Sequence, residues 1–185
     1  RGVVHRDMKP SNVLVRQDDG VATVMDFGIA KMTTSTRLTA TGQTMGTVRY
    51  MSPEQVRGQE VDLSTDLYSL GATLYESLTG DTPFDGNTHF EIMSKHLSEV
   101  PVPPSQRGVV LPAGLEQALL TSLAKKPADR FASARDFRKA IEAVLKLEDV
   151  GIAETMRLAR DSLAPALRAG DVSKPTASAV APVST

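Results

Sequence analysis

The sequence predicts an α+β fold, mainly α-helical, in which a small β-hairpin unit leads into a helical body. Valines flank an Asp-Gly pair near the start, which is a hairpin signal. From residue 63 onward, apolar residues recur at helical spacing, and Gly80 and a proline cluster at 101–104 punctuate the runs.

Taken in order, Val13, Val15, Val21 and Val24 lie on either side of Asp18-Asp19-Gly20, so two short strands are expected there. A polar stretch then runs from Ile29 to Gly46, with Thr33, Thr34, Ser35, Thr36, Thr39, Thr41 and Thr44 and no helical or strand period. A loop of that length inside a compact domain is commonly functional or disordered. Leu63, Leu67, Leu70, Gly71, Leu74 and Leu78 form an apolar stripe, which predicts a helix over 64–79 that stops at Gly80. Thr88-x-x-Glu91 reads as a capping box for a short helix carrying Ile92, Met93 and Leu97. Leu115, Leu119, Leu120 and Leu123 make the next stripe. Phe137, Ile141, Val144 and Leu145 make the last, with Ser133 and Asp136 placed as caps. Residues 152–169 suit a weak helix broken at Pro165, and 173–185 is a Pro/Ala/Ser/Thr-rich linker or tail.

Composition narrows the function. The chain has 185 residues, enough for one ordinary domain, with 21 Lys+Arg against 22 Asp+Glu for a net charge of −1. Bulk charge therefore gives no reason to expect nucleic acid as a partner. The absence of cysteine excludes a disulfide framework, thiolate metal sites and a thiol nucleophile. No apolar run approaches the roughly 18 residues of a membrane-spanning helix, so no membrane segment is expected within this chain.

Three groups of residues carry chemistry: His5-Arg6-Asp7 with Lys9 and Asn12, then Asp26-Phe27-Gly28, then Gly46-Thr47 with Ser52-Pro53-Glu54. Each alone is weak, but their order and separations together are specific. The chain reads H-R-D-M-K-P-S-N at 5–12, D-F-G at 26–28 and S-P-E at 52–54, where A-P-E is frequent. It thereby resembles the C-terminal lobe of eukaryotic-type protein kinases. The wording G-T-V-R-Y-M-S-P-E-Q, with L-A-K-K-P-A-D-R-F at 123–131, is most similar to the bacterial serine/threonine kinases.

The resemblance implies a kinase-like C-terminal lobe over 1–147, a weakly helical extension over 148–172 and the tail from 173. It implies ATP and Mg²⁺ as cofactors and protein Ser/Thr hydroxyls as acceptors. Asp7 would orient the hydroxyl and accept its proton, and Lys9 would sit beside the migrating phosphoryl group. Asn12 and Asp26 would supply hard oxygen ligands to Mg²⁺. Thr47 would help hold the acceptor, and Lys9 and Thr47 together point to Ser/Thr specificity. Between Asp26 and Glu54 would lie the activation segment. Thr39 and Thr41 are its candidate phosphorylation sites, Arg6 is the partner for such a phosphate, and self-association would serve autophosphorylation. Asp66 would brace the catalytic loop, and Glu54 with Arg130 would form a buried ion pair. His5 reads as a packing residue, and His89 and His96 as helix-surface residues.

The sequence has no Gly-rich loop, no strand lysine after V-A-I and no glutamate helix to pair with it. In the family these belong to the N-terminal lobe. The expectation is therefore a piece of a longer kinase, catalytically silent alone, with a cytoplasmic parent that a segment beyond this chain would anchor to a membrane if anything does. Two readings from other classes stay open. A non-catalytic kinase-like binding module conflicts with intact Asp7, Lys9, Asn12 and Asp26. A small-molecule phosphotransferase would generally lack the activation segment and the S-P-E element.

Overall fold

The computed structural model describes residues 3–27 and 46–146. Thr39 and Thr41, Gly28, the extension at 148–172 and the tail at 173–185 lie outside the described residues. The chain divides into two units, Arg1–Val144 and Leu145–Thr185, and the description concerns the first.

The described part opens on the loop that carries His5, Arg6 and Asp7. A 3-10 turn at Pro10–Asn12 follows, with Pro10 at the position where its fixed φ and missing N–H cost least. Strand β1 (Val13–Val15) then pairs antiparallel with β2 (Ala22–Val24), in the register Val13↔Val24 and Val15↔Ala22. The hairpin signal is borne out, but the connection is longer than a two-residue turn. Val21 lies outside the strand, and the loop closes by Arg16 N–H donating to Val21 O at 3.0 Å and Gly20 N–H to Arg16 O at 3.0 Å. Gly20 takes the left-handed conformation the bend requires, at φ +69°. Neither strand buries a residue. The period-2 valines therefore mark β-propensity rather than a core face.

The second stretch begins with a 3-10 turn, Thr47–Tyr50, and a short helix α1 (Pro53–Val56). Ser52 caps α1 through a reciprocal capping box with Gln55. Helix α2 (Leu63–Thr79) is the axis of the fold, capped by the Asp62 side chain and ended by Gly80 at φ +81°. The predicted leucine stripe on α2 is corrected at its ends. Leu63 and Leu78 are exposed, while Tyr68, Ala72 and Tyr75 are fully buried. The cause is burial on several sides: Thr65, Ser69, Gly71 and Thr73 are buried as well, because other elements surround the helix.

Helix α3 (His89–Ser98) has Thr88 as its cap, accepting from Glu91 N–H at 3.1 Å. The expected reciprocal bond is displaced by one residue, since the Glu91 carboxylate accepts from Asn87 N–H at 2.9 Å. A proline-rich connection carries a 3-10 turn, Pro104–Arg107, into helix α4 (Ala113–Ser122). Helices α2 and α4 approach closely at Gly71, where a Cβ would sit 2.1 Å from Ser122 Oγ. A further 3-10 turn, Pro127–Asp129, leads to helix α5, residues 134–146, capped by Ser133, which accepts from Asp136 N–H at 3.2 Å. The core lies on the two sides of α2. One cluster joins Tyr68, Ala72 and Tyr75 to Leu119 and Leu123, and the other joins Leu67 to Ala118 and Phe137.

Candidate active site

The backbone of the loop that carries Asp7 is held by side chains from outside it. Asp66, in the first turn of α2, receives His5 N–H on Oδ2 at 2.7 Å and Arg6 N–H on Oδ1 at 2.9 Å. Gln55 Nε2 donates to Arg6 O at 2.9 Å, so α1 and α2 both grip the backbone of Arg6. That grip accompanies an unusual backbone. Arg6 has φ +66° and Asp26 has φ +54°, the only non-glycine positive values among the described residues. Such conformations persist where surrounding contacts over-determine them, and they concentrate at functional sites.

His5 ties the two loops together. It is buried, its Nδ1 accepts from Asp7 N–H at 3.3 Å, and its Nε2 bonds Met25 O at 2.8 Å. The pair of contacts specifies the tautomer: Nδ1 accepts, so Nε2 carries the proton and donates. Met25 N–H in turn donates to Asn12 O at 2.9 Å, and the His5 ring lies 5.0 Å from that of Phe27. Asp26 therefore sits between two residues, Met25 and Phe27, that are both anchored to the catalytic loop. The expected packing role of His5 is what the geometry shows.

Around Asp7 the side chains converge. Lys9 Nζ lies 3.0 Å from Asp7 Oδ2 and donates to Thr47 Oγ1 at 3.3 Å. Asn12 is buried, and its Nδ2 donates to Asp7 O at 2.8 Å and to Asp7 Oδ2 at 3.4 Å. With its nitrogen committed, Asn12 offers Oδ1 as the atom for a cation. No group of three or more His, Asp or Glu suited to a metal occurs among the described residues. A cation held by Asn12 and Asp26 would take water and phosphate oxygens for its other ligands. This fits Mg²⁺, which dehydrates reluctantly.

A cleft of about 590 Å³ adjoins Lys9 and Thr47 and extends to Tyr50 and Glu76. Tyr50 donates its hydroxyl to Glu76 Oε2 at 2.6 Å, and burial together with this carboxylate raises the Tyr50 pKa, so the phenol stays protonated. The Thr47–Tyr50 turn is tied to α2 again where Ser69 Oγ donates to Tyr50 O at 2.7 Å.

Beneath the site, Arg130 meets Glu54 through two bonds, Nη1 to Oε1 at 2.7 Å and Nη2 to Oε2 at 2.9 Å. The remaining guanidinium hydrogens reach Ala124 O, Ser64 O and Lys125 O, and Thr65 Oγ1 donates to Glu54 Oε1 at 2.7 Å. Burial by itself would raise the Glu54 carboxyl, but the bonds from Arg130 and Thr65 outweigh it and hold its pKa at about 2. Arg6, whose side chain forms no ion pair among the described residues, flanks Asp7.

Of the residues singled out in the sequence, the structure brings Asp7, Lys9, Asn12 and Thr47 into one bonded group and joins Glu54 to Arg130. Asp66 reaches the loop through its backbone. His96 is a correction: it is fully buried, not a helix-surface residue, because α3 packs onto the Thr47–Tyr50 turn and onto Tyr68. Sequence reasoning also missed Gln55, Tyr50 and Glu76. The Ser52-x-x-Gln55 spacing was available as a capping signal, whereas the Tyr50–Glu76 bond spans 26 positions and has no local signature.

A mainly helical lobe whose polar clamp presents an Asp-Lys-Asn group beside a left-handed Asp-Phe-Gly entry is the class of structure these elements define. The protein kinase domain matches residues 1–148, and the chain belongs to that family. It is 44% identical to serine/threonine-protein kinase PknB of Mycobacterium leprae over 138 residues, covering 74% of this chain and 22% of that protein. It is likewise 44% identical over 155 residues to serine/threonine-protein kinase pkn3 of Myxococcus xanthus, covering 78% and 28%. A probable serine/threonine-protein kinase of Clostridium acetobutylicum is 42% identical over 135 residues, covering 73% and 20%. The chain thus spans between a fifth and three tenths of the length of these relatives.

Proposed function

We propose that this chain is the acceptor-binding and catalytic-loop part of a serine/threonine protein kinase that transfers the γ-phosphoryl group of ATP to protein hydroxyls. The bonded chain Asp7–Lys9–Thr47 carries the reading. A Ser or Thr hydroxyl placed at Thr47 and Asp7 is oriented by them and gives its proton to the Asp7 carboxylate as its oxygen bonds the γ-phosphorus. The bond from that phosphorus to the bridging oxygen breaks, and ADP departs with the electron pair. Lys9 lies where its ammonium can offset charge on the phosphoryl oxygens. Asn12 and Asp26 would hold Mg²⁺, which when bound neutralises the nucleotide's phosphate charge.

Asn12 also fixes Asp7 through the 2.8 Å bond to its carbonyl, so one side chain serves the orientation of another. Arg6 would receive a phosphate on Thr39 or Thr41, whose added charge of about −1.5 to −2 suits an arginine. Autophosphorylation between two copies would supply it. A cytoplasmic location, where ATP is abundant, belongs to this proposal. Because the sequence contains no Gly-rich loop or lysine in a V-A-I-K setting, residues 1–185 alone are expected to transfer no phosphate.

The test is Asp7→Asn in the full-length protein that carries this segment. Loss of a general base typically costs about 10²–10⁴ in rate. Transfer of labelled phosphate to Ser/Thr peptides should fall by that order with the melting temperature nearly unchanged. Undiminished transfer overturns the proposal.

A further inference from the structure

The Thr47–Tyr50 turn is tethered at its ends, Thr47 to Lys9 at 3.3 Å and Tyr50 to Ser69 and Glu76 at 2.7 and 2.6 Å. Its middle residues, Val48 and Arg49, have a different support. Val48 is buried, and α3 lies against the turn with His96 as its fully buried member. Arg49 reaches over to Asp85, just before α3, at 2.9 Å, but that pair is exposed and of small energetic consequence.

The His96 ring is clamped on one edge. Tyr68 and His96 share a bond of 2.7 Å between the phenol oxygen and Nδ1, and the Phe84 ring meets the imidazole edge-on at 5.0 Å. Burial keeps the Tyr68 phenol protonated, and its hydroxyl has no other hydrogen-bond partner among the described residues, so it donates to Nδ1. The neutral ring must then carry its hydrogen on Nε2. That atom is the one buried side-chain nitrogen or oxygen without a well-formed hydrogen bond among the described residues. Burial and then the nearby Lys125 charge push the His96 pKa down to about 3, while backbone groups of Arg49 and Val48 act in the opposite sense. A neighbour that favours the protonated ring acts as an acceptor, which assigns that part to the backbone of Val48 and Arg49 in the turn that α3 packs against, although Nε2 closes no hydrogen bond with it.

A buried polar atom left short of a partner is uncommon and destabilising, so its presence at this spot calls for a use. We propose that His96 is a positioning residue for the phosphoryl acceptor: Nε2–H bears on the Val48–Arg49 carbonyls and thereby sets the height of Thr47 above Lys9. The bond closes when an acceptor Ser/Thr segment enters the cleft and presses on the turn. Catalytic hydrogen bonds that are long in the empty site and close in the complex behave in this way. Tyr68 belongs to the device, since its hydroxyl selects the tautomer. This inference rests on the kinase reading given above.

The decisive measurement compares two reactions of the full-length protein. Phosphorylation of a Ser/Thr peptide needs an acceptor positioned by Thr47, whereas slow hydrolysis of ATP by water does not. His96→Phe keeps the ring and removes Nε2–H. It should lower kcat/KM for the peptide by at least about tenfold, because small misplacements of an acceptor are costly, with ATP hydrolysis and the KM for ATP changed by less than about twofold. Tyr68→Phe frees the tautomer and should show the same selectivity more weakly. If His96→Phe does not fold, Tyr68→Phe decides alone. Equal loss in both reactions, or none in either, overturns the positioning role while leaving the kinase reading intact. A wild-type protein that phosphorylates no Ser or Thr peptide overturns both.

Discussion

Residues 3–27 and residues 46–146 are built on opposite principles. In the first stretch only His5 and Asn12 are buried, both polar and both bonded to loop backbone, while Leu14, Val15, Val24 and Phe27 are exposed. In the second the buried set includes Tyr68, Ala72, Tyr75, Leu119, Leu123, Ile92 and Phe137. The chemistry-bearing loop thus has almost no apolar core of its own. It takes its shape from hydrogen bonds to α1 and α2, which the helical body holds rigid. Stability and chemistry are thereby separated in sequence but joined by Asp66, Gln55 and the Lys9–Thr47 bond.

Substitutions that break the body, the anchor and the buried histidine should separate along that division. The largest effect is expected for Arg130→Ala. It strands a buried carboxylate at Glu54, and removal of one partner of such a pair typically costs about 3–5 kcal/mol. The melting temperature should fall by many degrees, and activity should fall with it. An unchanged melting temperature rejects the structural role of the pair. Asp66→Asn should do less to stability, about 1–3 kcal/mol for a backbone donor left facing an amide hydrogen. Its kcat should drop at least about tenfold, because the loop that carries Asp7 loses its reference point. If kcat survives while stability falls, the loop is held by something other than α2.

At neutral pH the smallest effect is the last one, which appears only on acidification. His96 has its folded pKa pushed down to about 3, against an ordinary 6.5 in the unfolded chain. Above pH 6.5 neither state is protonated and no dependence arises. As pH falls below 6.5 the unfolded histidine takes a proton that the folded one refuses. Stability should then decline by up to about 1.4 kcal/mol per pH unit until the pH nears 3. Denaturant titrations between pH 7 and 4 on wild type and His96→Phe should show a shallower decline in the variant, and identical slopes reject a neutral buried His96. Glu54, with its folded pKa lowered to about 2, adds stability that is complete above about 4.5 and lost on further acidification, so the two contributions occupy largely different windows.

Much of the site was readable because its signals are local. The loop at 5–12 carries Asp7, Lys9 and Asn12 within eight consecutive residues, so their closeness along the chain is plain from the sequence. The helix ends were equally legible at Thr88, Gly80 and Ser133, because caps act on their own helix. The leucine stripe of α2 misled at Leu63 and Leu78, since a helix surrounded by others buries small and aromatic residues off the stripe. His96 misled more fully, because its partners Tyr68, Phe84 and the Val48–Arg49 turn are separated from it by between 12 and 48 positions.

What the amino-acid order determined by itself, then, is the identity and spacing of the Asp, Lys and Asn groups and where each helix begins and stops, since these depend on chain geometry over a few residues. What the tertiary structure decided is their orientation. The left-handed backbones of Arg6 and Asp26, the seat of Thr47 on Lys9 and the burial of His96 exist only when distant segments close on one another. Hydrogen bonds and packing across those contacts repay strain that no local stretch would sustain alone.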